Sequence, residues 1–221
     1  YGEGARGRFV QSWKMDKLRT IVAWDKRQPG RVPYRIGLWG TAFRCCHVFG
    51  AAANNPDVKC VVSQLAFADG EEIVTGQMDA TEKTGFMATL EKMEQKRQSS
   101  GKEMFVAITR VLNDDESKAF FEENRHQHPK MDIKIPFLTV RETLLYKPSV
   151  HAAKVSCPTL VVVAGQDSVN PPEQGRALFN AVAATDKQLF VAEDARHYDI
   201  YDGQHFAAVI KAQTAWFAKH L

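Results

Sequence analysis

The sequence predicts an α/β fold in which a parallel sheet with flanking helices is interrupted by a helical insertion. Three observations point to it. Strand-length runs rich in β-branched and other apolar residues alternate with segments of helical period. The runs are apolar throughout rather than alternating, as strands covered on both faces require. Between the second and third runs, residues 68–148 break this rhythm with helical patterns and polar joints, a stretch too long for a loop.

The elements follow in order. Leu18, Ile21 and Val22 recur at helical spacing between Trp13 and Lys26, and Gln28-Pro29-Gly30 stops that helix. Residues 34–39 (YRIGLW) read as a short buried strand, followed by a helix from near Ala42 to the small residues 50–53. Residues 58–67 (VKCVVSQLAF) form a second strand, 159–164 (TLVVVA) a third and 188–192 (QLFVA) a fourth. Pro171-Pro172 opens a helix with Leu178, Phe179 and Val182 on one face. A last helix carries Phe206, Val209, Ile210 and Phe217. The insertion is expected to hold helices through Phe86, Leu90 and Met93, through Phe105, Ile108 and Leu112, and around Phe120 and Phe121, with Gln98-Ser99-Ser100-Gly101 as a joint. The expected division is a core of residues 1–67 and 149–221 and a cap of residues 68–148.

Bulk properties exclude several classes. The 221 residues are 44% hydrophobic and 25% charged, ample for a core, and a net charge of +3 is too mild to imply a nucleic-acid or membrane partner. The apolar runs fall short of the roughly 20 residues a membrane helix needs. Cys45, Cys46, Cys60 and Cys157 show no disulfide spacing, which suits a reducing, cytoplasmic compartment. Gly2-Glu3-Gly4-Ala5-Arg6-Gly7 matches G-x-G-x-x-G by spacing, yet no strand precedes it, so it reads as a flexible loop and no cofactor is expected. The opening at Tyr1 suggests that an N-terminal part is absent.

Chemistry gathers at three loops. A nucleophile held on a sharp strand-to-helix turn needs small neighbours, because its backbone is strained against the next helix. Residues 35–53 (RIGLWGTAFRCCHVFGAAA) provide that context, with the strand ending at Trp39, Gly40 as entry and Ala42 in the nucleophile position. Asp167 follows the third strand, before a helix start at Pro171-Pro172, and His197 follows the fourth. The order nucleophile, acid, base is that of a hydrolytic triad.

At these residues the chain resembles the α/β-hydrolase superfamily, in its dienelactone-hydrolase-like and acyl-peptidase-like esterase branch. That branch carries an elbow W-G-T-S-F-S-G-G-H, an acid in G-x-x-D-x-x-x-P and a base in H-x-x-x-Y. Trp39, Gly40, Thr41, Phe43 and His47 match the first, Asp167 and Pro171 the second, His197 and Tyr201 the third. The resemblance implies an α/β-hydrolase fold with a helical cap whose first strands precede residue 1. It further implies an oxyanion donor in the backbone N–H of Phe43, and a small-molecule substrate. The departures are sharp. Ala42 replaces the serine, and Arg44-Cys45-Cys46 replaces Ser-Gly-Gly, which should crowd the turn. Alanine has no lone pair to attack with, so His197 has no side chain to activate there.

Rival nucleophiles are Thr41, by a shift of one residue, and Cys45 or Cys46, if a helix N-terminus lowers a thiol pKa. His126 and His128 resemble a metal pair without an evident third ligand, so no metal is expected. His205 and His220 read as surface residues. Three functions remain open: an ester, thioester or C–C bond hydrolase that has lost its serine, a pseudo-hydrolase using Asp167 and His197 for lyase, cyclase or isomerase chemistry, and a non-catalytic small-molecule binder. Apolar Phe and Met on the cap helices would suit a homodimer.

Overall fold

The computed structural model describes residues 10–29 and 35–221. The glycine-rich stretch Gly2–Gly7, Gly30 and Tyr34 lie outside the described residues. In chain order, α1 (Gln11–Asp25), β1 (Ile36–Thr41), α2 (Cys45–Ala52) and β2 (Val58–Gln64) come first. Then follow α3 (Gly70–Thr75), α4 (Ala80–Ser100), β3 (Phe105–Ala107), α5 (Asp115–Asn124), β4 (Lys134–Pro136) and α6 (Thr139–Leu144). The last set is α7 (Pro148–Ala152), β5 (Thr159–Ala164), α8 (Pro172–Ala181), β6 (Lys187–Ala192) and α9 (Gly203–His220). Two compact units result, one of residues 11–69 with 147–221 and one built on residues 70–146.

The larger unit is an α/β layer structure. Its sheet has the order β1-β2-β5-β6, and every pairing is parallel. The register pairs Thr41 with Gln64, Gln64 with Val162, and Ala164 with Ala192, so the loops after all four strands leave from one edge. β5 is buried at every position because helices cover both its faces, and its β-branched residues pack on each. One face buries Cys60, Val62, Leu160 and Val162 beneath Val209 and Trp216 of α9. The opposite face meets α2 and α8. Each fully buried valine or leucine there contributes about 1.5–3 kcal/mol. Gly175 lets α8 lie close: a Cβ there would stand 2.5 Å from Val163 Cγ2.

Several boundaries differ from the sequence reading, each for a physical reason. β1 runs on through Gly40 to Thr41, and Trp39 is 49% exposed because β1 lies at the edge of the described sheet. The turn after it begins with a 3₁₀ turn at Ala42–Arg44, and α2 starts only at Cys45. β2 ends at Gln64, since Leu65 takes a left-handed φ of 56° that no strand continues through. On α9, Phe206 and Ile210 are exposed and the buried line is Val209, Gln213 and Trp216.

The smaller unit is not wholly helical. Phe105, expected in a helix, lies in β3, which pairs antiparallel with β4 (Val106 opposite Ile135). Ile108 follows in a 3₁₀ turn. α4 is well defined at both ends. Asp79 and Glu82 form a capping box, and Gly101, with φ 68°, closes the helix. The polar joint at residues 98–100 is therefore its last turn. Among the described residues, no helix is long and apolar enough to cross a membrane.

Candidate active site

The bend after β1 is sharp at one residue. Thr41 is still extended (φ −131°, ψ 145°), whereas Ala42 has φ 49°, in the left-handed region. For a residue with a Cβ this conformation costs about 1–2 kcal/mol. The strain therefore sits at residue 42, and Thr41 belongs to the strand. Its hydroxyl is engaged, receiving a hydrogen bond from Gln64 Nε2 (3.2 Å) and lying 2.7 Å from Tyr201 Oη.

The cysteines after the bend are buried rather than reactive. Cys45 and Cys46 are fully enclosed in α2, and Cys45 Sγ lies 2.7 Å from Ser63 Oγ. Burial pushes the Cys45 thiol up to about 12 and raises Cys46 as well. This overturns the expectation of a lowered thiol pKa at a helix N-terminus, because desolvation opposes the thiolate. Nor do the bulkier residues exclude the turn, as both thiols fit the core beneath it while Ala42 keeps its left-handed backbone. The Phe43 ring packs edge-on to His47 and against Phe67.

Asp167 and His197 come together. Asp167 follows β5, and its Oδ1 accepts hydrogen bonds from the backbone N–H of Val169 (2.8 Å) and Asn170 (2.7 Å). Oδ2 lies 2.8 Å from Nδ1 of His197, which follows β6. The two side chains are 1% and 4% exposed. Asn170 braces this loop by donating from Nδ2 to the Leu65 carbonyl across the sheet edge (2.7 Å). With its Nδ1–H on a carboxylate, the neutral imidazole carries its lone pair on Nε2, the state that a general base requires. Tyr198 and Tyr201 wall the ring at centroid distances of 5.0 and 6.2 Å.

The other candidates fall elsewhere. His126 and His128 are exposed, and no group of three metal-ligating side chains occurs among the described residues. His205 is half-buried. His220 is not a surface residue: its side chain is 10% exposed and its ring lies 4.4 Å from that of Trp216, because α9 turns both toward the protein. The sequence reading missed Gln64 and Gln213, which are buried and joined through Gln213 Nε2 to Gln64 Oε1 (2.5 Å). A glutamine closing an apolar strand was the available signal.

Comparison with known proteins agrees with this architecture. The family described as serine aminopeptidase, S33, matches residues 82–204, a span that includes Asp167 and His197 and begins beyond residue 42. An Escherichia coli protein, the uncharacterized 31.7 kDa protein in the traX-finO intergenic region, is 56% identical over 219 residues, which is 99% of this chain and 77% of that protein. Thiohydrolase aneE of Aspergillus aculeatus is 26% identical over 204 residues, 87% of this chain and 64% of its own length. Among solved structures, the alpha/beta hydrolase GrgF from Penicillium sp. sh18 superposes with a TM-score of 0.78 at 16% identity, covering 99% of this chain and 75% of that one. Parallel sheet, ordered loops and family match together place the chain in the α/β-hydrolase superfamily, as a member of the serine aminopeptidase S33 family.

Proposed function

We propose that this chain hydrolyses a small ester or thioester by general-base catalysis, without a covalent acyl-enzyme. The observation that carries the reading is the buried Asp167–His197 hydrogen bond, with Oδ1 of the same carboxylate anchored by two backbone N–H groups. That arrangement holds the imidazole in one tautomer and one orientation. Ala42 offers a methyl group at the bend, so no acyl group can be transferred to it. His197 Nε2 instead takes a proton from water as the water oxygen bonds to the acyl carbon. The tetrahedral intermediate then expels the alcohol or thiol, which receives the proton from His197. The similarity to a thiohydrolase supports an acyl thioester as the first substrate class to try.

The test compares the natural chain with His197→Ala on acyl N-acetylcysteamine thioesters and short p-nitrophenyl esters. Loss of the base should lower kcat by about 10²–10⁴-fold. Equal rates in the two proteins would contradict the proposal.

A further inference from the structure

Five side chains in the larger unit form one continuous hydrogen-bonded chain. Trp39 Nε1–H donates to Gln213 Oε1 (2.8 Å), and Gln213 Nε2 donates to Gln64 Oε1 (2.5 Å). Gln64 Nε2 donates to Thr41 Oγ1 (3.2 Å), which lies 2.7 Å from Tyr201 Oη. Its direction is forced from one end. An indole can only donate, so Gln213 must turn its oxygen to Trp39 and its amide nitrogen to Gln64. Gln64 must then present oxygen to Gln213 and nitrogen to Thr41. The hydroxyl of Thr41 is thus an acceptor from Gln64.

The last link can run either way, because either hydroxyl can donate to the other. If Tyr201 donates to Thr41, the proton left over is that of Thr41. If Thr41 donates to Tyr201, the proton left over is that of the phenol, and a ligand oxygen beside the exposed Tyr201 selects this arrangement. Aligned bonds polarise one another, which makes the terminal O–H a better donor. Tyr201 is 39% exposed, so a ligand can reach it. It sits beside the two groups that matter, bonded to the residue before Ala42 and against the ring of His197.

We infer that the Tyr201 hydroxyl donates a hydrogen bond to the acyl oxygen of the substrate at the Ala42 bend, its proton kept available by the one-way chain that starts at Trp39. This rests on the reading of His197 as base, since the oxygen that gains negative charge is the one attached to the carbon under attack. A phenol keeps its proton at neutral pH, and partial desolvation of this ring pushes it further up, to about 12. Tyr201 is then a catalytic residue, and Gln64 and Gln213 are positioning residues.

The experiment measures p-nitrophenyl acetate hydrolysis by the natural chain and by Ala42→Ser, each with Tyr201→Phe, Gln64→Glu, both together, or His197→Ala. A donor acting only in the transition state predicts that Tyr201→Phe lowers kcat by about 10²-fold with KM little changed. Gln64→Glu, nearly isosteric and assayed at a pH where its carboxylate is ionised, offers Thr41 an acceptor instead of a donor. It reverses the last two bonds, ties the phenol proton to Thr41, and should reproduce that loss. In the double variant the loss should be no deeper than in Tyr201→Phe, whereas independent structural damage would add. If His197→Ala abolishes turnover but Tyr201→Phe stays within twofold of its parent, the tyrosine inference is overturned alone. If Tyr201→Phe is impaired and Gln64→Glu is not, the one-way chain is overturned. If His197→Ala changes nothing, the base reading falls and this inference with it.

Discussion

Asp167→Asn is the substitution whose effect the geometry defines most sharply. Oδ1 accepts two backbone N–H bonds, from Val169 and Asn170, at 2.8 and 2.7 Å. An asparagine must keep its oxygen there, because turning the amide would aim N–H at N–H twice. The amide nitrogen therefore takes the place of Oδ2, 2.8 Å from His197 Nδ1 in the parent. Facing a donor, the imidazole must accept at Nδ1 and carry its proton on Nε2. In that tautomer Nε2 has no lone pair with which to take a proton. A side chain of the same size thus converts the base into a donor. Because the inverted tautomer removes the base as His197→Ala does, kcat should fall by a similar factor, about 10²–10⁴-fold. The assay is thioester turnover, paired with ¹⁵N NMR of the His197 ring, which reads the tautomer even when turnover is undetectable. An Asp167→Asn protein that keeps the Nδ1–H tautomer, or that loses less than tenfold in kcat, would refute the reasoning.

Other expectations can be checked in single experiments. Ala42→Gly removes left-handed strain of about 1–2 kcal/mol and increases unfolded-chain entropy by about 0.4–1 kcal/mol, so urea denaturation should show a net gain of about 0.5–1 kcal/mol. With Ellman's reagent, half-buried Cys157 should react first in the native protein, Cys45 and Cys46 staying silent until unfolding exposes all four thiols. In the smaller unit, the hydrogen bond from Arg97 holds Glu94 down at about 2, below the ordinary carboxylate value. A depressed folded-state pKa means that this contribution is complete above the unfolded value and is lost as pH falls toward about 2. Glu94→Gln should therefore cost about 1–2 kcal/mol at neutral pH and nothing in strong acid.

What could be read from the sequence was whatever depends on local order. The run TLVVVA is long enough and β-branched enough to be a central strand, and β5 is buried at all positions. Asp167 and His197 each follow a parallel strand, so the common edge of the sheet brings their loops together without further information. Exposure was harder to anticipate. Trp39 looks like a core residue, yet it lies on the edge strand and uses its indole N–H rather than its apolar area. Phe206 and Ile210 outrank Gln213 in hydropathy, but α9 turns Val209 and Trp216 into the core, and Gln213 on the same face is paired there with Gln64. Gln64 and Gln213 are 149 residues apart, and no periodicity within either segment signals the partner in the other. Phe105 marks a similar limit: its helical spacing with Ile108 and Leu112 was overridden by pairing with β4.

The central claim is that residue 42 occupies the bend within reach of a base formed by His197. It is tested most directly by restoring the missing atom. Ala42→Ser, exposed to a fluorophosphonate probe and analysed by peptide mass spectrometry, should carry the label on residue 42. The natural chain should carry none there, and addition of His197→Ala to the serine variant should abolish labelling. An Ala42→Ser protein that folds and yet remains unlabelled, or is labelled equally well without His197, would contradict the account.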